Sequence, residues 1–294
     1  MTIFNQNLYF ENLQTQQLGR PLFYKERVTS TMTIGKENFF QNGTVILAEE
    51  QTEGKGRRSR SFHSPKGGNL FFTLVLHYEG RVTTEFYTRI NLSVPLSTHE
   101  SVHDQFIRNG FSRIQSKIKW PNDVYVNNLK LSGMLVDTVL QQKPKSSFED
   151  CLLPFQRADK NNNPRSIANL TTFLVGVGIN VNIDPSESNL ELKSVATSMK
   201  STCDGHSFVR EKVLASFLNR YEYYLDPKNI SLNQLLESYQ AKEMNLNKHV
   251  MVIKDNEKFK AKSLYINTNG RLVVRKSNNE IVEIADSESS IRSI

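Results

Sequence analysis

Four cations, Lys55, Arg57, Arg58 and Arg60, crowd into the Gly/Arg/Ser-rich segment Gly54–Gly68. Glycines free the backbone and expose N–H groups that suit an anion. Arginines grip phosphate or carboxylate through paired hydrogen bonds, and Phe62 offers a ring to cover an aromatic base. The plain alternative is a solvated basic loop. A second segment, Lys119-Trp120-Pro121-Asn122-Asp123, is followed after a hairpin by Lys130-Leu131-Ser132-Gly133-Met134-Leu135. If Leu129 and Leu131 face the core, Lys130 faces the other side of the sheet, and Gly133 lets a ligand approach the backbone. Taken alone, Lys130 reads as a surface lysine. The third segment, Gly176-Val177-Gly178-Ile179-Asn180-Val181-Asn182, reads as a buried strand with Asn180 and Asn182 on one face.

Other patterns point elsewhere. His99-Glu100-Ser101-Val102-His103 has the His-Glu-x-x-His spacing of zinc peptidases, in which two histidines on one helix face share a metal and the glutamate activates water. No downstream segment offers a third ligand, so His99 and His103 read better as an amphipathic helix. Gly54-Lys55 is followed by Gly56 rather than Ser or Thr, and Gly176-Val177-Gly178 lacks a third glycine. Neither is a nucleotide-binding fingerprint.

These segments need elements to hold them. The period-two and period-3.6 patterns predict strands over Phe23–Val28, Thr44–Glu49, Leu70–His77, Lys117–Trp120, Val124–Val126, Leu129–Leu140 and Thr171–Ile183. Helices are expected within Thr29–Asn38 and over Thr84–Asn109, Phe208–Tyr224 and Leu232–Lys242, with Pro95 starting or kinking the second. Asn127-Asn128 suits a two-residue hairpin turn, since Asn tolerates positive φ. Residues 1–20 are rich in Asn and Gln and read as a loosely attached arm. Residues 141–169 read as an inserted, partly disordered loop. After residue 246, short strands at close spacing predict a small β-barrel or sandwich. The expected organisation is therefore an arm (1–20), a larger α+β unit of mixed sheet and helices (21–245), and a small β-domain (246–294).

Composition sets bounds. The chain has 294 residues, 38% hydrophobic and 23% charged, as in a soluble globular protein. The apolar run Leu70–Leu76 is too short to span a bilayer, and Met1–Phe10 lacks the pattern of a secretory signal. Cys151 and Cys203 stand far apart without metal-ligand company and read as inert thiols in a reducing compartment. The net charge of +7 suits anionic ligands, an acidic partner or nucleic acid; the short basic loop fits a small phosphate ligand best.

Together and in this order, the three segments resemble the signature of the biotin protein ligase family, which includes bacterial biotin ligases and eukaryotic holocarboxylase synthetases. Val28-Thr29-Ser30-Thr31-Met32 resembles the Ser-Thr-Asn segment that opens that family's biotin pocket. The resemblance covers about residues 21–245 and the C-terminal β-module. It departs at Lys55 and Ser59, where many members have Arg and Gly, at Phe62 for a common Trp, and at Met32 for a common Asn. It implies a class II synthetase-like, lipoyl–biotin ligase catalytic fold followed by a small SH3-like barrel. It also implies a two-step reaction in which biotin and ATP form biotinyl-5′-AMP with Mg²⁺, and biotin then passes to a lysine of a biotin carboxyl carrier domain, as in acetyl-CoA or pyruvate carboxylase.

By the same resemblance, Lys130 and Arg57 are catalytic. Biotin contacts fall to Ser30, Thr31, Met32, Gln51, Lys55, Gly56, Arg57, Lys130 and Gly133. Nucleotide contacts fall to Arg57, Arg58, Arg60, Phe62, Asn122, Lys130 and Asn180, and Asp123 is expected to organise Mg²⁺. The bacterial repressor's DNA-binding helices are missing, so no nucleic-acid or membrane partner is expected, and a cytoplasmic setting is. The Gly19-Arg20-Pro21-Leu22 segment looks more like eukaryotic enzymes, whose long N-terminal extensions make a fragment of a longer chain an open reading. A lipoate ligase of the same fold is the nearest alternative. A zinc peptidase using His99 and His103 is the distant one.

Overall fold

The structure is a computed structural model and describes residues 3–58, 60–142, 169–254, 257–285 and 289–293. Seven strands form a mixed sheet: β1 (Leu22–Val28), β2 (Val45–Gln51), β3 (Leu70–Tyr78), β4 (Ser116–Lys119), β5 (Asp123–Val126), β6 (Leu129–Gln142) and β7 (Asn169–Ile179). Their spatial order is β1-β2-β3-β7-β6-β5-β4. Only the β1–β2 pair is parallel among the described pairings of this sheet. The helices are α1 (Gln6–Asn12), α2 (Thr31–Glu37), α3 (Thr84–Arg108), α4 (Met199–Thr202), α5 (Arg210–Leu225) and α6 (Leu232–Gln240). The expected α+β class is the one observed. No helix among the described residues is long and apolar enough to cross a membrane.

Side-chain alternation divides the sheet into two faces. Phe72, Leu74 and Leu76 of β3 and Phe173, Val175 and Val177 of β7 join one buried cluster with Val94 of α3 and Phe217 and Leu218 of α5. On the other face, Met32 and Ile34 of α2 pack with Ile46, Val75 and Leu174. The β5–β6 hairpin closes as its residues require: Asn127 and Asn128 have φ of 50° and 63°. Thr83 caps α3 by accepting from the Phe86 N–H, and the helix runs through Pro95 without ending. Burial of Val94, Pro95 and Leu96 offsets the cost of an interior proline, about 3 kcal/mol.

The N-terminal segment is not loosely attached. Phe4, Tyr9, Leu13 and Leu18 are buried in the main core. Carboxylates of α5 take its backbone donors: Glu211 accepts from the Asn5 N–H, and Glu222 from those of Gln16, Gln17 and Leu18. Glu49 accepts from the Phe4 N–H while buried against Arg210 at 2.7 Å. The inserted segment is shorter than expected, since β6 reaches Gln142 and β7 begins at Asn169; its remainder, with Cys151, lies outside the described residues. Cys203 is buried and unbridged, and burial pushes its thiol up to about 11.

A second, five-stranded antiparallel sheet follows: β8 (His249–Lys254), β9 (Glu257–Ile266), β10 (Leu272–Lys276), β11 (Ile281–Ile284) and β12 (Ser289–Ser293), in the order β11-β10-β9-β8-β12. It is consistent with an SH3-like unit. Its apolar side joins Leu92, Leu96, Trp120 and α6 residues in one cluster, and Trp120 Nε1 donates to the Gly270 carbonyl at 3.1 Å. The strand β12 escaped the sequence patterns, because Ser289-Ser290-Ile291-Arg292-Ser293 carries one apolar residue.

The His-Glu-x-x-His motif is engaged in packing. His99 is buried with Nδ1 2.8 Å from Ser116 Oγ. Glu100 Oε2 accepts from Arg220 Nη1 at 2.6 Å and from the Tyr224 hydroxyl at 2.7 Å. Burial first, then neighbouring cations including Lys242, pushes the His99 pKa down to about 3. The fold therefore favours the neutral ring. Its contribution is present above the unfolded value of about 6.5 and is lost as pH falls toward the folded value. Urea unfolding of the wild type should lose stability between about pH 6.5 and 5, at up to ~1.4 kcal/mol per unit from this one group. His99→Gln should show a shallower slope over the same window, and identical slopes would refute the assignment.

Candidate active site

One row of residues crosses five strands. Lys119 lies opposite Asp123, Asp123 opposite Gly133, Gly133 opposite Gly178, and Gly178 opposite Phe71. Directly opposed residues share a face, and Gly176 and Gly178 alternate with core-facing Val175, Val177 and Ile179. The glycines thus hollow out the face away from α5. A Cβ on Gly176 would lie 2.7 Å from Met32 Sδ, and one on Gly178 would enter the Phe62 ring. A cavity of about 560 Å³ occupies this face, bounded by the basic loop, the start of α2 and β12.

The loop folds back on itself. Gly56 N–H donates to the Arg60 carbonyl and Phe62 N–H to that of Gly54, both at 2.8 Å, which brings Arg57 and Arg58 to the bend. Arg57 Nη1 donates to Asn122 Oδ1 at 3.1 Å, while Asn122 Nδ2 donates to the Met134 carbonyl. Lys130 Nζ lies 2.6 Å from Asp123 Oδ1 and 5.9 Å from the centre of the Phe62 ring. A polar chain ties the far end together. Thr73 Oγ1 donates to Thr31 Oγ1, and Thr31 donates through its N–H and hydroxyl to Gln51 Oε1. Gln51 Nε2 then donates to Ser64 Oγ. Ser30 Oγ, fully buried and lining the cavity, has no protein partner among the described residues. A buried hydroxyl left this way costs free energy unless a ligand or water completes it.

Residues 24–147 match the model of the Biotin/lipoate A/B protein ligase family. Biotin–protein ligase 1, chloroplastic, of Arabidopsis thaliana is 29% identical over 226 residues, 76% of this chain and 52% of the relative. The bifunctional ligase/repressor BirA of Bacillus subtilis (strain 168) is 26% identical over 268 residues, 89% and 71% of the two chains. Biotin protein ligase from Aquifex aeolicus in complex with biotin and ATP superposes with a TM-score of 0.67 at 26% identity, over 94% of this chain and all of that one. The chain is thus similar to biotin protein ligases over most of its length, and to the biotin/lipoate A/B protein ligase family model over residues 24–147. It spans about half the length of the plant relatives.

The residues singled out from sequence largely meet at one place. Ser30, Thr31, Met32, Gln51, Lys55, Gly56, Arg57, Arg58, Arg60, Phe62, Asn122, Asp123, Lys130 and Gly133 all line the cavity. Asn180 does not. The strand has ended at Ile179, and Asn180 Nδ2 turns to the Thr197 carbonyl at 3.0 Å. Asn182 likewise braces Phe208 through both ends of its amide. The lining also includes residues not assigned to the site from sequence, among them Lys119, Tyr125 and Arg292. The first two were within reach of the sequence, because hairpin pairing sets Lys119 opposite Asp123 and period two sets Tyr125 beside it. Lys119 Nζ sits 4.8 Å from the centre of the Tyr125 ring. Burial lowers the Lys119 pKa, opposed by the nearby Asp123 carboxylate. Burial, then Asp123, pushes the Tyr125 hydroxyl up to about 12.

Asp123 could give Mg²⁺ one carboxylate, the remaining ligands being water and nucleotide phosphates. Among the described residues, Asp123 is the one carboxylate lining the cavity, and its Oδ1 is taken by Lys130. No three His, Cys, Asp or Glu side chains among those residues cluster to hold a metal. The cavity is instead a cationic surface with one acid, suited to a ligand carrying several negative oxygens.

The Phe62–Gly178 contact anchors the loop, so Gly178→Ala should release it. Tryptic cleavage at Arg57, Arg58 and Arg60 should accelerate about tenfold, the factor given by ~1.4 kcal/mol of lost anchoring. The melting temperature should stay near that of the wild type. Unchanged cleavage would show that Phe62 does not hold the loop closed.

Proposed function

We propose that the chain activates biotin with ATP and transfers it to a lysine of a biotin carboxyl carrier domain of a carboxylase, such as acetyl-CoA or pyruvate carboxylase. The observation that carries this reading is the convergence of Lys130 and Arg57 on one cavity that also holds the buried, unpartnered Ser30 hydroxyl. Similarity to biotin protein ligases supports it.

In the first step, a carboxylate oxygen of biotin attacks the α-phosphorus of ATP. An O–P bond forms, and pyrophosphate leaves with the electrons of the broken one. Two anions must be brought together, so fixed cations supply the main stabilisation. Lys130 serves the carboxylate and the α-phosphate, leaving its ground-state partner Asp123 for them. Arg57 exchanges Asn122 for a phosphate oxygen, and Arg58 and Arg60 line the path of the nucleotide, with Lys55 and Gly56 toward biotin. Ser30, Thr31 and Gln51 donate to or accept from the ureido ring, while Met32 and Gly133 frame its apolar part. Phe62 covers adenine, and Asn122 meets the nucleotide once Arg57 lets go. Asn180 acts indirectly, by holding the Thr197 segment. In the second step the acceptor amine replaces AMP on the activated carbonyl.

The direct test is incubation with labelled biotin, Mg·ATP and a biotin carrier domain. Label on the carrier lysine is expected; label from lipoate and none from biotin would turn the reading to the lipoate branch of the family. Lys130→Ala should slow biotin-dependent pyrophosphate release by roughly 10²–10³, the scale of one lost charge stabiliser, and weaken biotin binding less. Near-normal release would remove Lys130 from the reaction.

A further inference from the structure

A smaller cavity of about 230 Å³ adjoins the first and shares Arg57, Arg58, Asn122, Met134 and Leu135 with it. The Arg57–Asn122 hydrogen bond at 3.1 Å therefore stands between two compartments. The outer one is walled by Tyr87, Asn91, Val94 and Pro95 of α3 and by Val136 of β6. Of its lining residues, Tyr87 is 45% exposed and Arg58 is exposed, so this cavity reaches the surface beside them. Here β6 has run past its last β5 partner; Asn122 holds both backbone groups of Met134, and among the described residues no strand pairs with β6 on that side beyond it.

We propose that this outer cavity is the passage by which the acceptor's primary amine reaches the activated carbonyl; the proposal rests on the transfer reading above. The lining selects the ligand class. Val94, Pro95, Leu135 and Val136 suit a methylene stem and would be wasted on a polyanion such as pyrophosphate. Pro95, inside α3, has no N–H and adds a further apolar ring to this wall. Arg57 at the inner end repels an ammonium and admits the neutral amine, the form that attacks. The entering ammonium first gives a proton to solvent. Its nitrogen lone pair then forms the C–N bond, the bond from the carbonyl carbon to the phosphate oxygen breaks with its electrons leaving on AMP, and one of the two N–H protons passes to the departing phosphate while the other stays on the amide. Arg57 must leave Asn122 for the compartments to join, which ties passage of the amine to occupation of the inner cavity by a phosphate.

The test compares Asn91→Phe, which fills the passage, with Asn91→Ala, which leaves it open. Three rates are read on the intact protein: biotin-dependent pyrophosphate release without acceptor, aminolysis of the adenylate by hydroxylamine, and transfer to a carrier domain. For Asn91→Phe, carrier transfer should fall by about tenfold or more, equivalent to ~1.4 kcal/mol, with the other two rates near wild type. Asn91→Ala should keep all three. Normal transfer by Asn91→Phe, or equal loss in both variants, overturns the passage while leaving ligase activity standing. A wild-type protein that forms no adenylate overturns the functional reading itself, and the passage with it.

Discussion

The pairing of β6 between β5 and β7 is the constraint on which the site depends. In that register Gly133 faces Asp123 on one side and Gly178 on the other, and Lys130 faces Tyr125. Lys130 and Gly133, three positions apart, share the cavity face because the register shifts between Val124 and Tyr125; elsewhere side chains alternate, so a slip of one residue would turn Lys130 and Asp123 toward the core and send Leu131 into the cavity. Burial of Leu131, Val124 and Val126 penalises that slip by about 1.5–3 kcal/mol for each side chain exposed. The apolar face of these short strands thus fixes the position of the charges on the opposite face. The two positive-φ asparagines at the turn hold the same register from its other end.

Charge within the cavity is arranged to be given away. Lys130 and Asp123 pair at 2.6 Å while both remain partly exposed, and Arg57 rests on the neutral amide of Asn122. The acid that Lys130 holds is itself not fully buried. Glu49 and Arg210 are the contrast: both sit in the core, and removing one partner would leave the other buried and uncompensated, a loss of about 3–5 kcal/mol. The structural pair is locked and the Lys130–Asp123 pair is more open to exchange, as the proposed binding of phosphates would require.

Support comes from distant parts of the chain. The segment before β1 is clamped by carboxylates of α5 and by Glu49, two residues before Gln51 in the same strand. The second sheet meets the first through Trp120, whose backbone N–H goes to the buried Glu243 and whose indole goes to Gly270. Trp120 immediately precedes Pro121-Asn122-Asp123, so the same stretch of chain carries the inter-sheet contact and the site. Arg292 reaches the cavity from the far edge of the second sheet.

Much of this was legible from residue order alone. Short apolar alternations specified the strands, Asn127-Asn128 specified its turn, and the three polar segments named most of the cavity, because period, turn chemistry and charge are local properties. Tertiary structure decided the rest. The Asn- and Gln-rich N-terminus looked detached, yet four spaced apolar residues find a core that exists only once α5 has folded. Asn180 sits one residue beyond a strand end that no local pattern marks, and its amide is taken by Thr197. Lys119 and Arg292, 173 positions apart in sequence, come to one cavity through the docking of two sheets. Sequence specifies which side chains share a strand face. Which faces meet is settled by burial summed over the whole molecule, and that sum has no local signature.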